Sequence, residues 1–324
     1  MTILVTGAAG FIGFHLSKFL LNKNISVVGI DNINNYYDIN LKLERLNQLK
    51  NLKNFSFFKG DINDEKLLEE IKKSFPNIKN IVHLAAQVGV RYSIENPNAY
   101  IESNINGYIK ILEFAKSTPS LEHLIFASSS SVYGANKTLP FSLDQKINSP
   151  LSVYAATKSS GELISYSYSH IYNIPITALR FFTVYGPWGR PDMAMYLFTK
   201  AIYEGKPITL YNQGQMRRDF TYIDDIVEGI YNATRNKPSC NPPFKTYNLG
   251  NNKSESLIDF INIIEENLGK KAIIDHKEML KSDMLETYAD IESSKNELNF
   301  EPKISIKEGI PLFIEWFRKY YKIK

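Results

Sequence analysis

The sequence predicts an α/β fold, a doubly wound parallel sheet joined to a smaller, interleaved α/β domain. Three observations point there. Short apolar runs rich in β-branched residues alternate with helical patterns through the first half. A glycine-rich turn joins the first run to the first helix, and the rhythm breaks after Arg180 with no linker or repeat. Strand and helix in alternation imply parallel strands joined by crossovers, the Rossmann type of arrangement.

The expected strands are 3–6, 26–30, 55–59, 80–84, 123–128 and 176–180. Their apolar runs are nearly continuous, as a parallel sheet covered on both faces requires. The helices between them are expected at 11–21, 65–73, 99–117 and 153–172. After Arg180, the stretch Tyr185-Gly186-Pro187-Trp188-Gly189-Arg190-Pro191-Asp192 carries too much Gly and Pro for a regular element. Later helices are expected near 193–204, 223–234, 257–268 and 306–319, with short strands between. The reading divides the chain into a cofactor-binding domain, 1–180, and a mainly substrate-binding domain, 181–324, with segments that return to the first.

Composition narrows the function class. With 324 residues, 44% hydrophobic, the chain can bury a full core. A net charge of +4, on scattered lysines, gives no footing for nucleic acid. One cysteine, Cys240, excludes an internal disulfide and a thiolate metal cluster. The histidines His15, His83, His123, His170 and His276 lack ligand spacing, so no metal is expected and strand-edge or surface roles are expected for them. The opening Met1-Thr2-Ile3-Leu4-Val5 has no basic region, cleavage site or long apolar span, so a cytoplasmic protein without membrane contact is expected.

The turn Thr6-Gly7-Ala8-Ala9-Gly10-Phe11-Ile12-Gly13 carries the first chemistry. Gly7, Gly10 and Gly13 let the chain turn tightly, approach a pyrophosphate and pack the helix against the sheet. The helix start at Phe11 and Ile12 then faces the phosphates with free N–H groups and a favourable dipole. A glycine triplet alone is weak evidence, but here the second strand ends in Asp31. Asp31 can accept hydrogen bonds from both adenosine ribose hydroxyls. Its charge repels a 2′-phosphate and Asn32 adds no positive charge, so NAD is expected rather than NADP. Asp61 and Ile62 follow the third strand, where adenine lies. Leu84, Ala85 and Ala86 end the fourth with small residues where a dinucleotide passes.

Tyr154-Ala155-Ala156-Thr157-Lys158 places a phenol and an amine on one helical face. They follow a strand that ends in Ser128-Ser129-Ser130-Ser131, where ligands gather in such folds. A nearby ammonium and a nicotinamide cation favour phenolate, so Tyr154 is expected to take a proton near neutral pH. Ser129 can hold the hydroxyl that loses it, and Lys158 the nicotinamide ribose.

These features resemble the extended short-chain dehydrogenase/reductase family, the NAD-dependent epimerase/dehydratases, over essentially the whole chain. To the motifs above the resemblance adds His83–Ala86, Val132-Tyr133-Gly134 and Arg218-Asp219-Phe220 before Asp224-Asp225. Within the family the chain looks most like the UDP-glucuronate 4-epimerases. Asp31-Asn32-Ile33-Asn34-Asn35-Tyr36-Tyr37-Asp38, Gly89-Val90-Arg91-Tyr92 and the run from Arg180 to Ala194 carry that likeness. It implies that Tyr154 deprotonates the 4-hydroxyl of a UDP-sugar, that hydride leaves C4, and that the 4-keto sugar turns over before hydride returns. It also implies Arg218 on the diphosphate, with Arg190 a second candidate at the nucleotide end and Arg91 a further substrate contact. Thr183 with Ser129, Ser130 and Ser131 is expected to hold a C5 carboxylate. The family further implies a homodimer through helices 99–117 and 153–172, the latter displaying Tyr166, Tyr168 and Tyr172.

One stretch departs from the family. Relatives usually carry Arg or Pro-Gly before the late Asp, whereas here Leu280-Lys281-Ser282 precede Asp283-Met284. Among competing activities, nucleotide-sugar dehydratases and UDP-glucuronate decarboxylases usually place an acid within the serine run, and every position from Ser128 to Ser131 is serine. UDP-glucose/UDP-galactose and N-acetylhexosamine 4-epimerases are the nearer alternative, but usually carry Asn in place of Thr183. A catalytically silent NAD-binding regulator often loses the Tyr or Lys, and both are present.

Overall fold

The computed structural model of the chain describes residues 1–279 and 283–323. The first half begins β1 (Thr2–Thr6), α1 (Phe11–Asn22), β2 (Ser26–Asp31), α2 (Ile39–Lys50), β3 (Phe55–Lys59), α3 (Glu65–Ser74) and β4 (Ile78–His83). It continues with α4 (Tyr92–Glu95), α5 (Pro97–Tyr100), a π-helical segment (Ile101–Asn106), α6 (Gly107–Lys116), β5 (His123–Ser129), α7 (Val153–Tyr172) and β6 (Ile176–Phe181). Local chemistry sets the helix starts. The side chains of Asp38, Asp64 and Ser152 accept first-turn N–H groups of α2, α3 and α7, groups that would otherwise be orphaned.

The second half runs β7 (Thr183–Tyr185), α8 (Ala194–Glu204), β8 (Pro207–Tyr211), β9 (Arg217–Arg218), β10 (Phe220–Tyr222) and α9 (Ile223–Arg235). Then come β11 (Phe244–Leu249), β12 (Glu255–Ser256), α10 (Leu257–Leu268), β13 (Ile273–Lys277), α11 (Glu292–Leu298) and α12 (Ile306–Tyr320). Among the described residues, no helix is long and apolar enough to cross a membrane.

Seven strands form one parallel sheet in the order β11-β6-β5-β4-β1-β2-β3. The strand order reverses between β1 and β4, which opens a crevice at their C-terminal ends. Alternation along the strands fills both faces. Ile3, Val5, Val27, Val82 and Ile125 face one core, which continues through α1, α9, α8, α10 and α12. Leu4, Val28, Ile81, Leu124 and Phe126 face the other, against α3 and α6. The second half therefore shares a core with the sheet, and its β11 is the sheet's edge strand.

The structure differs from the sequence reading in several places. Residues 99–117 do not form one helix. The chain widens into a π-turn over Ile101–Asn106, which aims Asn104 inward. There Asn104 Nδ2 donates to Gln87 O and Thr157 Oγ1, both at 3.0 Å. Helix α2 had no counterpart in the reading. Of the histidines expected at edges or on the surface, His15 is half-buried in α1, while His83 and His123 are buried at the ends of the central strands β4 and β5. Leu280, Lys281 and Ser282, where the sequence departs from the family, lie outside the described residues.

Candidate active site

The glycine turn closes over the C-terminal end of β1. Gly7 has φ +72°, and a Cβ there would lie 2.9 Å from Ala85 N. At Gly13 a Cβ would lie 2.1 Å from Gly7 O, so only glycine lets α1 pack this close. Across the crevice, Thr6 Oγ1 accepts from the N–H groups of Leu84 (3.1 Å) and Ala85 (3.0 Å) and meets His83 Nδ1 at 2.8 Å. Burial pushes His83 down to about 3, which favours the neutral ring, and with both Oγ1 lone pairs taken by N–H groups the Thr6 hydroxyl has its proton to give to Nδ1. That triangle shapes Leu84-Ala85-Ala86, which line the cleft with Gly7, Gly10 and Phe11 to Gly13.

Asp31 ends β2 at the cleft's far side. Its Oδ1 accepts from Ile33 N at 2.8 Å and its Oδ2 from Ala9 N at 3.0 Å. Burial pushes this carboxyl up, opposed by those two N–H groups and by Lys42 and Arg45. Asn32 Nδ2 donates to Asp61 Oδ2 at 2.8 Å, bringing Asp61 and Ile62 to the same wall. Lys42, on α2, also lines this wall, with its ammonium 2.7 Å from both Asn34 O and Asn34 Oδ1. The sequence reading weighed only Asn32 for local charge. Lys42 is a cation it missed, because the fold brings it back from α2.

At the other end, Tyr154, Lys158 and Ser129 to Ser131 line the cleft together. Lys158 Nζ donates to Ala127 O at 2.7 Å and lies 6.0 Å from the Tyr154 ring centroid. Burial lowers Lys158 to about 7. Burial also raises the Tyr154 phenol, while a hydrogen bond with Ser129 and the charge of Arg190 oppose the rise. The sequence reading has the lysine lowering the phenol. In the structure Ser129 and Arg190 oppose the rise that burial causes, and Lys158 is engaged by Ala127. Ser129 Oγ also accepts from Ser131 N at 3.2 Å, which curls the serine run.

A buried network fixes this end. Ser128 Oγ donates to Glu162 of α7, which takes Arg180 Nε (2.9 Å) and Nη2 (2.7 Å) on its two oxygens. Arg180 also reaches the Tyr133 hydroxyl at 3.0 Å, and Tyr133 donates to Asn248 Oδ1 at 2.7 Å. β5, α7, β6, β11 and the turn carrying Tyr133 are thereby locked together beside the serines. Breaking such a buried pair from one side costs ~3–5 kcal/mol.

Arg190 lines the same cleft, and its charge acts on Tyr154, Tyr36 and Tyr37. Its Nε meets Asp192 Oδ1 at 3.0 Å, and the Tyr36 hydroxyl donates to Asp192 Oδ2 at 3.1 Å. Arg218 lines the cleft near Asp283, which Arg91 approaches at 3.5 Å. Arg91 itself is mostly exposed and stacks over Tyr211. Thr183 begins β7, half-buried, its N–H donating to Asp219 O at 3.0 Å. Asp219, fully buried, gathers the N–H groups of Asn251, Asn252 and Ala289. Burial, opposed by those donors, raises it to about 6. It thus ties down the backbone under Thr183 from a distance in sequence that no local pattern reveals.

Comparison with known proteins gives this geometry its setting. Residues 4–312 match the family described as GDP-mannose 4,6 dehydratase. The chain is 45% identical to a UDP-glucuronate 4-epimerase of Thermodesulfobacterium geofontis, over 98% of this chain and 96% of that one. It is 47% identical to Protein CapI of Staphylococcus aureus, over 99% of this chain and all of that one. Among solved structures, a UDP-glucuronic acid 4-epimerase from Bacillus cereus in complex with UDP-glucuronic acid and NAD superposes with a TM-score of 0.92. It is 36% identical, over 99% of this chain and 100% of that one. The chain belongs to the GDP-mannose 4,6 dehydratase family, within the extended short-chain dehydrogenases/reductases.

Proposed function

We propose that this chain is an NAD-dependent UDP-sugar 4-epimerase, an isomerase that interconverts UDP-glucuronate and UDP-galacturonate by transient oxidation at C4. The observation that carries it is the single cleft in which a ribose-type acid, Asp31, and a glycine turn stand at one end and Tyr154, Ser129 and Lys158 at the other. The relatives named UDP-glucuronate 4-epimerase support the sugar.

The residues fit a dinucleotide. A turn that admits no Cβ at Gly7 or Gly13 leaves backbone N–H groups at the start of α1 for a pyrophosphate. Asp31 has acceptor capacity left for the ribose hydroxyls, and Asp61 and Ile62 flank the adenine position. Bound NAD supplies reversible hydride acceptance at C4. Tyr154 then takes the proton of the 4-hydroxyl, which Ser129 holds. Lys158 holds a ribose. After the keto sugar turns over and presents the opposite face of C4 for hydride return, the same phenol gives the proton back to the C4 oxygen. Arg218 takes the diphosphate, with Arg91 at its margin through Asp283. Arg190 belongs to the sugar end. Thr183 and Ser129 to Ser131 hold the C5 carboxylate. Residues 1–180 form the NAD-binding part and 181–324 mainly the substrate-binding part. We place the protein in the cytoplasm. Incubation with UDP-glucuronate and no added NAD should yield UDP-galacturonate faster than UDP-glucose yields UDP-galactose. No conversion of the uronate would remove this reading.

The chain also acts as a homodimer in our reading, through α7 and residues 99–117. On α7, Leu163 and Ile171 are each 65% exposed and Tyr166 49%, unusual for a helix packed on a sheet. Light scattering should give about twice 37.1 kDa at micromolar concentration, and a 37.1 kDa species alone would contradict the dimer.

A further inference from the structure

The mechanism uses neither of the buried cations of α2, Lys42 and Arg45. Arg45, on α2, is 0% exposed, and its four hydrogen bonds among the described residues all go to neutral oxygens. A charge taken out of water is costly unless its surroundings hold it well. What Arg45 holds is informative. Its Nη1 donates to Ala9 O at 3.0 Å and to the Tyr37 hydroxyl at 2.7 Å. Its Nη2 donates to the carbonyls of Trp188 and Gly189, the latter at 3.3 Å.

Ala9 lies in the glycine turn and gives its own N–H to Asp31. Trp188 and Gly189 lie just before Arg190. One guanidinium therefore grips the cofactor turn and the loop that carries Arg190. The preceding carbonyl, Pro187 O, is taken by His15 Nε2 of α1 at 2.9 Å. Three consecutive loop carbonyls thus rest on side chains from the cofactor half. The grip also over-determines a strained backbone, because Trp188 has φ +60°. Its ring is wedged between Phe14 and Trp316.

We propose that Arg45 is a positioning residue, the tie through which the glycine turn sets the Arg190 loop, so that Arg190 meets the sugar only when the turn is formed. The proposal rests on the epimerase reading for its assay. Arginine suits the task because its planar fork offers several donors at fixed angles. A lysine carries the charge but cannot span both segments.

The test is a double-mutant cycle of Arg45→Lys with Arg190→Gln, read as kcat/KM and Kd for UDP-glucuronate, bound NAD per chain and thermal midpoint. With Arg190 present, Arg45→Lys should lower kcat/KM ~10-fold or more, and with Arg190 removed by less than ~2-fold, an interaction typical of physically linked residues. A merely structural arginine would give the same loss in both backgrounds, and that result overturns the proposal. If Arg45→Lys does not fold, His15→Phe, which frees Pro187 O alone, takes its place in the cycle with the same two outcomes. A wild-type protein that binds UDP-glucuronate without converting it sinks the activity, and the cycle is then read from Kd. A wild-type protein that does neither overturns both.

Discussion

Tyr154→Phe should abolish turnover while leaving NAD bound and the fold intact. The phenol is the proposed base, and loss of a general base typically costs ~10²–10⁴-fold in rate. Three features separate chemistry from structure in this variant. The ring packs edge-on to Tyr100 at 6.1 Å, a contact phenylalanine keeps. Ser129, the phenol's partner, still has Ser131 beside it at 3.2 Å. Cofactor affinity rests at the other end, on the glycine turn and Asp31. The measurement is kcat together with NAD content and thermal midpoint. Activity within a few-fold of wild type would remove Tyr154 from the mechanism. Loss of NAD in step with activity would show that the ring acts through the cofactor site.

Thr183→Val should impair UDP-glucuronate turnover far more than any UDP-glucose side activity. Oxidising C4 of a hexuronate makes a β-keto acid, which loses CO2 readily once its carboxylate rotates out of the carbonyl plane. An epimerase must hold that group still, and neutral hydroxyls can do so without repelling it. Valine nearly matches threonine in shape, and the backbone bond from residue 183 to Asp219 O survives, as does the parallel pairing of Thr183 with Phe220. What is lost is one hydrogen bond to a charged group, worth ~1.5–3 kcal/mol, so the ratio of the two activities should shift ~10–100-fold. Release of UDP-pentose by decarboxylation is the accompanying sign. Equal losses on both sugars, with no pentose, would sink the carboxylate assignment.

What could be read in the sequence had local causes. The glycine turn, the acid ending β2 and the Tyr154–Lys158 spacing each report a single element, and each lies on the cleft wall where its neighbours in sequence put it. Helix 257–268 coincides with α10 for the same reason, its apolar period being uninterrupted. What could not be read depends on segments meeting. Lys42 reaches the cleft wall and Arg45 the glycine turn only because α2 folds back against α1 and β3. Glu162 reads as a polar residue on a helix until Arg180 and Ser128 close around it. The π-turn at 101–106 hides within a helical pattern, since one widened turn barely alters the periodicity. Arg190 lines the cleft with Tyr154 while side chains of α1 and α2 hold the loop before it, contacts that no local pattern reveals. Lys158 lies one turn from Tyr154 as the spacing predicts, and its bond to Ala127 O is again a meeting of segments that spacing does not show.

The most direct test of the central claim, oxidation and re-reduction at C4 within one closed site, is turnover of UDP-glucuronate carrying deuterium at C4, with no NAD added. The account predicts UDP-galacturonate with the deuterium still at C4 and no build-up of free NADH. Loss of the label to solvent, or NADH accumulating in proportion to product, would contradict it.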